Sequence, residues 1–265
     1  MRVVLIGFWV CLLASCSSLP LPGPRVVAGS QPAAVEVLER AARLQGDPWK
    51  NRQRVDVAYE GEWSFIATKL QPVVTDPEFR RCSEETYRPR QRQVEQLHHG
   101  PGGSKRVLRK GRDTQVLFNG LRSQDEEVIG AAALVADAYT IFLFGPSWLG
   151  ANGRDFRLLK ERSMDHESCH LVAGRLSPGI GSTAEDHFIV WIGKDSGQMK
   201  RFQFSVNGLD STRGADVDVT FWNYIKAEDG SSWPTRFTEY IQRPILTKAH
   251  EWCMTGLTLD GHKIK

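Results

Sequence analysis

Residues 128–144 run Val-Ile-Gly-Ala-Ala-Ala-Leu-Val-Ala-Asp-Ala-Tyr-Thr-Ile-Phe-Leu-Phe, and this stretch decides the fold. Asp137 and Thr140 are its polar members. Residues 125–127 are acidic, which suits the positive end of a helix dipole, and Gly145-Pro146 is predicted to end the helix. A helix that is apolar on every side lies either inside a protein or inside a membrane. The stretch therefore predicts a buried helix over about residues 125–148.

A membrane span is disfavoured because Asp137 would lie near the centre of the bilayer, where a charge is costly. Two other interpretations remain open. The helix packs on a sheet as plain core, or it lines a hydrophobic cavity in which a ligand completes its burial. Both interpretations require the same residues.

In the segments around this helix, apolar and polar residues alternate as they do in β-strands. After a predicted N-terminal helix at residues 33–44, residues 55–59 alternate, 60–62 resemble a turn, and 63–70 are predicted to return as a strand. Weaker or shorter strands are predicted near 86–97, 106–108 and 114–118. Clearer strands follow at 188–192, 200–206, 217–225, 233–241 and 252–259, with turns at 195–197 and at Asp229-Gly230. Successive strands joined by tight turns predict an antiparallel meander.

The N-terminus has the features of an export signal. Met1-Arg2 is followed by an apolar run over residues 3–13, which is too short to span a bilayer, and then by Leu-Ala-Ser-Cys ending at Cys16. That tetrapeptide resembles the lipobox of bacterial lipoproteins. The resemblance implies a signal peptide over residues 1–15, acyl chains such as palmitate on Cys16, and a tether over 16–32 before one domain at 33–265. Ser17, in place of Asp, implies sorting to the outer membrane, with the domain facing the periplasm.

Composition excludes some classes of function and leaves others. Hydrophobic residues are 41% and charged residues 25%, as in an ordinary globular domain, and a net charge of +3 argues against a nucleic-acid partner. With Cys16 lipidated, Cys82, Cys169 and Cys253 allow at most one disulfide, and the sequence does not say which pair forms it.

The order of elements resembles the LolA/LolB-like lipoprotein-carrier superfamily, on residues 142–149, 190–201 and 227–236. The resemblance implies an α+β, mostly β fold: a strongly curved antiparallel sheet, like an unclosed barrel, with the N-terminal helix and the central apolar helix over its concave face. It also implies a non-catalytic protein without a cofactor that holds a lipid or an acyl chain. The residues expected to form the ligand wall are Phe142, Phe144, Trp148, Phe188, Val190, Phe202, Phe204, Phe221, Trp233 and Phe237.

Two alternatives are kept beside this interpretation. Residues 166–170, His-Glu-Ser-Cys-His, match H-E-x-x-H, which on a helix places two zinc ligands and a general base together, with Glu185, Asp186 or His187 as a third ligand. The surrounding sequence predicts a hairpin, where residues four apart stand about 13 Å from each other, which disfavours a metal site. The third hypothesis is a module without a ligand that binds an envelope protein.

Overall fold

The computed structural model describes residues 21–23, 28–209, 214–242 and 246–265, so the predicted lipidation at Cys16 lies outside the described residues. The helices are α1 Pro32–Leu44, α2 Pro48–Asn51, α3 Phe65–Leu70, α4 Pro72–Thr75 and α5 Glu126–Asn152. The strands are β1 Val55–Trp63, β2 Cys82–Arg88, β3 Gln93–Gly100, β4 Gly103–Lys110, β5 Asp113–Phe118, β6 Leu121–Arg122, β7 Gly153–Leu158, β8 Arg162–Met164, β9 Glu167–Leu176, β10 Asp186–Gly193, β11 Met199–Val206, β12 Ala215–Lys226, β13 Ser232–Ile241, β14 Thr247–Leu259 and β15 His262–Lys263.

All strands belong to one antiparallel sheet. Its order is β6-β5-β4-β3-β2-β1-β14-β13-β12-β11-β10-β9-β7, with β15 beside β14 and β8 beside β9. The first and last strands of this order do not pair with each other among the described residues, so the sheet stays unclosed. The predicted meander is confirmed, including the turn at Asp229-Gly230 between β12 and β13.

The sheet curls around α5. Asp137 of this helix contacts Arg109 on β4, and Phe142 contacts Phe202 on β11. These two helix residues lie roughly 7.5 Å apart along the axis. In a flat sheet, β4 and β11 would lie about 33 Å apart at the usual strand spacing. Only a strongly curved sheet brings both strands to one short piece of helix, which confirms the predicted fold class.

The apolar helix α5 begins and breaks where the sequence indicates. The Asp125 carboxylate accepts hydrogen bonds from the backbone N–H groups of Glu127 and Val128. Gly145, with φ 49° and ψ −128°, interrupts the helix, which then resumes to Asn152 because proline is tolerated in a first helical turn. The helix is long and apolar enough to cross a membrane, yet most of it is buried inside the protein. It is therefore a core helix of this fold.

The strand predicted at residues 63–70 is wrong. β1 continues through residues 60–62 to Trp63, and the Ser64 hydroxyl then starts α3 by accepting a hydrogen bond from Ala67 N–H. Gly61 is required by close packing instead of by a turn, since a Cβ there would clash with the Glu251 carbonyl oxygen. The weak strand predicted at 86–97 is in fact two strands, β2 and β3, joined by a short turn.

The three cysteines of the described residues are free thiols. Cys82 and Cys253 both lie opposite Glu60, one on each side of β1. Two strand spacings, about 10 Å, separate them, which exceeds the reach of a disulfide. Cys169 is buried in β9, on the far part of the sheet.

Candidate functional site

A cavity of about 600 Å³ lies between α5, the α3–α4 segment and the inner face of β11–β14. Its size is typical of sites for small hydrophobic molecules. Most of its lining is aliphatic or aromatic. The lining residues are Trp63, Ala67, Leu70, Gln71, Val74, Thr75, Leu134, Val135, Ala138, Tyr139, Phe204, Val206, Gly214, Ala215, Val217, Glu239, Ile241, Ala249 and His250.

The α3–α4 segment forms another wall of the cavity, with α4 packed against α5, and Arg80 fixes it. The Arg80 guanidinium donates a hydrogen bond to the Val74 carbonyl at 2.6 Å and another to the Tyr139 hydroxyl at 3.0 Å. The guanidinium packs over the ring of Trp63, 4.9 Å from the ring centre. Burial raises the pKa of Tyr139, which keeps its hydroxyl neutral. Arg80 is itself buried, so it holds the wall without lining the cavity.

One ionisable pair lies on the cavity wall. Glu239 on β13 faces His250 on β14 directly across the strand pair. The Nε2 atom of His250 lies 3.1 Å from the Glu239 carboxylate. The ring of His250 packs on that of Trp63, with centres 4.3 Å apart. This pair places one carboxylate, that of Glu239, on the wall of a mostly apolar cavity.

Exposed apolar side chains lie beside the cavity. Leu70 lines it and is 60% exposed, while Phe65 and Ile66 on the same short helix are 74% and 51% exposed. Leu246, directly before β14, is also exposed. An apolar surface of this kind beside an apolar cavity is typical of an interaction site.

Most of the predicted wall residues belong to one buried core cluster. Phe142 makes ring contacts with Phe202, Phe204, Phe221 and Phe237. The residues that lie in this buried cluster are Phe142, Phe144, Phe188, Val190, Phe202, Phe204, Phe221, Trp233 and Phe237.

Of the ten predicted residues, Phe204 lies on the wall of the large cavity. Trp148 lies on the opposite side of α5, in a separate pocket of about 310 Å³ that it shares with Trp49 and Arg109. The sequence interpretation missed Leu134, Val135 and Ala138 of α5, the α3–α4 wall and the Glu239–His250 pair. No short sequence signal marks these positions, because they meet only through the curvature of the sheet.

The helical zinc site predicted as an alternative is wrong. His166, with φ 63°, lies in the tight turn between β8 and β9, and His170 lies on strand β9 beside Glu161. Glu167 accepts backbone hydrogen bonds from the turn after β10 and pairs with Lys200. Glu185, offered as a third ligand with Asp186 and His187, pairs with Arg175. Within the described ranges, no group of three His, Cys, Asp or Glu side chains could hold a metal ion.

No protein-family model matches the sequence, and no curated protein matches it. Among the solved structures that resemble this chain, two have a TM-score of at least 0.50. A LolA superfamily protein from Nitrosomonas europaea is 15% identical, with 85% of this chain and 93% of that chain covered and a TM-score of 0.50. A DUF1329 family protein from Desulfovibrio piger is 11% identical, with 86% and 92% covered and a TM-score of 0.52. The curved sheet around an apolar helix is therefore a LolA-like fold, as the sequence resemblance implied.

Proposed function

We propose that this chain is a non-catalytic lipoprotein that binds a hydrophobic ligand, a lipid or an acyl chain, in the cavity beside α5. We further propose that Cys16 carries the acyl chains that anchor it to the outer membrane, with the domain in the periplasm. The observation that supports ligand binding is the apolar cavity itself. Its volume of about 600 Å³ is much larger than the small voids of an ordinary core.

The packing of the surrounding core supports a binding cavity over a loosely filled interior. Phe142 and the four phenylalanines whose rings contact it are tightly packed in the neighbouring part of the sheet, with exposures of 3% or less. The space is confined to the part of α5 that carries Leu134, Val135 and Ala138. A ligand placed there would bury these side chains further and gain free energy from the burial of apolar surface.

The polar groups of the cavity support binding over chemistry. Among the described lining residues, Thr75 and Tyr139 carry hydroxyl groups: the Thr75 Oγ1 donates to the Gln71 carbonyl at 2.9 Å, and the Tyr139 hydroxyl accepts from Arg80 at 3.0 Å. Neither Ser nor Cys occurs among those lining residues. Acyl transfer needs a nucleophile activated by a neighbouring base, and the Glu239–His250 pair faces no such group among the described residues.

Native mass spectrometry of residues 17–265, purified gently from the periplasm, tests this proposal. The anchor is absent from this form, so an adduct of lipid mass would belong to the folded domain. A protein that carries no adduct and takes up no added lipid would contradict the proposal. The exposed Phe65 and Ile66 would then favour the second candidate, a module that binds an envelope protein without a ligand.

A further inference from the structure

The cavity has one acidic group and, among the described lining residues, no Lys or Arg. Glu239 lies on the inner face of β13, between Val219 on β12 and His250 on β14. Its side chain is 18% exposed, so the carboxylate is accessible to a molecule inside the cavity. A ligand that enters this cavity therefore places its polar end near a negative charge.

The buried cation Arg80 makes its hydrogen bonds to groups other than Glu239. Arg80 lies behind the rings of Trp63 and Tyr139, and its guanidinium is committed to the Val74 carbonyl and the Tyr139 hydroxyl. The direct partner of Glu239 is His250, whose ring N–H holds one carboxylate oxygen. A carboxylate has four lone-pair sites, so hydrogen-bond acceptors remain for a ligand.

We propose that Glu239 selects the ligand by its head group: the cavity takes amphiphiles whose polar end donates a hydrogen bond, and it rejects ionised fatty acids. This inference rests on the proposed function and names the ligand class. A hydroxyl or an ammonium group supplies the donor. An ionised carboxylate has no donor, and it would meet Glu239 in a partly desolvated site where like charges repel strongly.

Displacement of the uncharged fluorescent probe N-phenyl-1-naphthylamine from residues 17–265 at pH 8 tests this selectivity. Four competitors share a twelve-carbon chain: 1-dodecanol, dodecyl methyl ether, dodecylamine and laurate. We expect 1-dodecanol to bind about tenfold more tightly than the ether, which lacks the donor. Dodecylamine, protonated at this pH, should exceed laurate by at least about tenfold. Comparison of 1-dodecanol with dodecylamine shows how much of the affinity comes from a neutral hydrogen-bond donor and how much from a positive charge.

Glu239→Gln removes the charge and keeps an acceptor. We expect the variant to bind laurate about tenfold more tightly and dodecylamine about tenfold more weakly than the parent chain does. Glu251→Gln is the matched control, because Glu251 lies on the neighbouring strand β14 with Lys248 and Arg236 as partners and does not line the cavity. It should leave the ranking unchanged.

Equal displacement by the four competitors, or tightest binding of laurate, would overturn the inference while leaving the cavity as a binding site. The order of affinities of the four competitors is measured on the parent chain, so it tests the inference even if Glu239→Gln does not fold. Failure of the probe to bind, together with failure of all four competitors in native mass spectrometry, would overturn the proposed function itself.

Discussion

Replacement of Ala138 by Phe is expected to occupy part of the cavity and weaken ligand binding without unfolding the protein. Ala138 is 6% exposed and its methyl group faces the cavity from α5. Burial of a phenylalanine side chain contributes about 1.5–3 kcal/mol when space is available. Because the cavity measures about 600 Å³, the new ring needs little rearrangement of its neighbours. We expect the free energy of unfolding to stay equal or to rise by up to about 2 kcal/mol.

Ala136 provides the matched control two residues away on the same helix. It is 0% exposed and lies outside the cavity lining, in packed core. The same change to Phe there forces an extra ring into filled space, which should lower the free energy of unfolding by about 1–3 kcal/mol or more. Urea unfolding measures both variants, and displacement of N-phenyl-1-naphthylamine measures binding.

The comparison has two refuting results. If Ala138→Phe destabilises the chain as much as Ala136→Phe does, the space beside Ala138 is not available to a side chain. If Ala138→Phe is stable but binds hydrophobic ligands as tightly as the parent chain, binding does not occur in this cavity.

Three further predictions concern parts of the fold outside the cavity. Asp137→Asn should lower the free energy of unfolding by about 3 kcal/mol in urea, since it leaves the buried Arg109 guanidinium without its charge partner; a loss below about 1 kcal/mol would contradict this. Gly145→Ala should cost about 1–3 kcal/mol in the same assay, because φ 49° with ψ −128° strains any residue with a Cβ; an unchanged midpoint would show that this backbone is not strained. Burial raises the pKa of Asp218 from 3.8 to about 6, so the native state binds a proton more readily than the unfolded state does. The contribution of Asp218 to the free energy of unfolding should therefore fall as pH rises from about 4 to about 6, and Asp218→Asn should remove this part of the pH dependence; an unchanged slope in thermal melts would refute the assignment.

Local patterns predicted the parts of the fold that local rules control. The strict alternation of residues 200–206 and the turn at Asp229-Gly230 were enough to place β11, β12 and β13. The segment Phe65–Leu70 was not, because a short apolar run is compatible with a strand and with a helix. Ser64 as an N-cap and Pro72 at the start of α4 were the local signals for two short helices.

The candidate site depends on contacts that are distant in sequence. Glu239 and His250 meet through the register of β13 and β14, and Val74 meets the cavity because Arg80 holds it there. Neither relation has a short sequence motif. The prediction of an aromatic wall followed from residue type alone, and large rings such as Phe142 fill space more often than they border it. For that reason Phe204 alone among the ten predicted residues lines the large cavity.

Different faces of α5 explain how one apolar helix both fills core and borders a cavity. The residues of α5 on the cavity wall are Leu134, Val135, Ala138 and Tyr139, which lie within four to five positions of one another and share one side of the helix. Ala136, between them in sequence, points away from the cavity and is packed in core. One turn further on, Phe142 packs against the rings of β11–β13 and fills the concave side of the sheet. Apolar composition is the same in these two situations, so the contacts that the sheet makes with each face of the helix distinguish them.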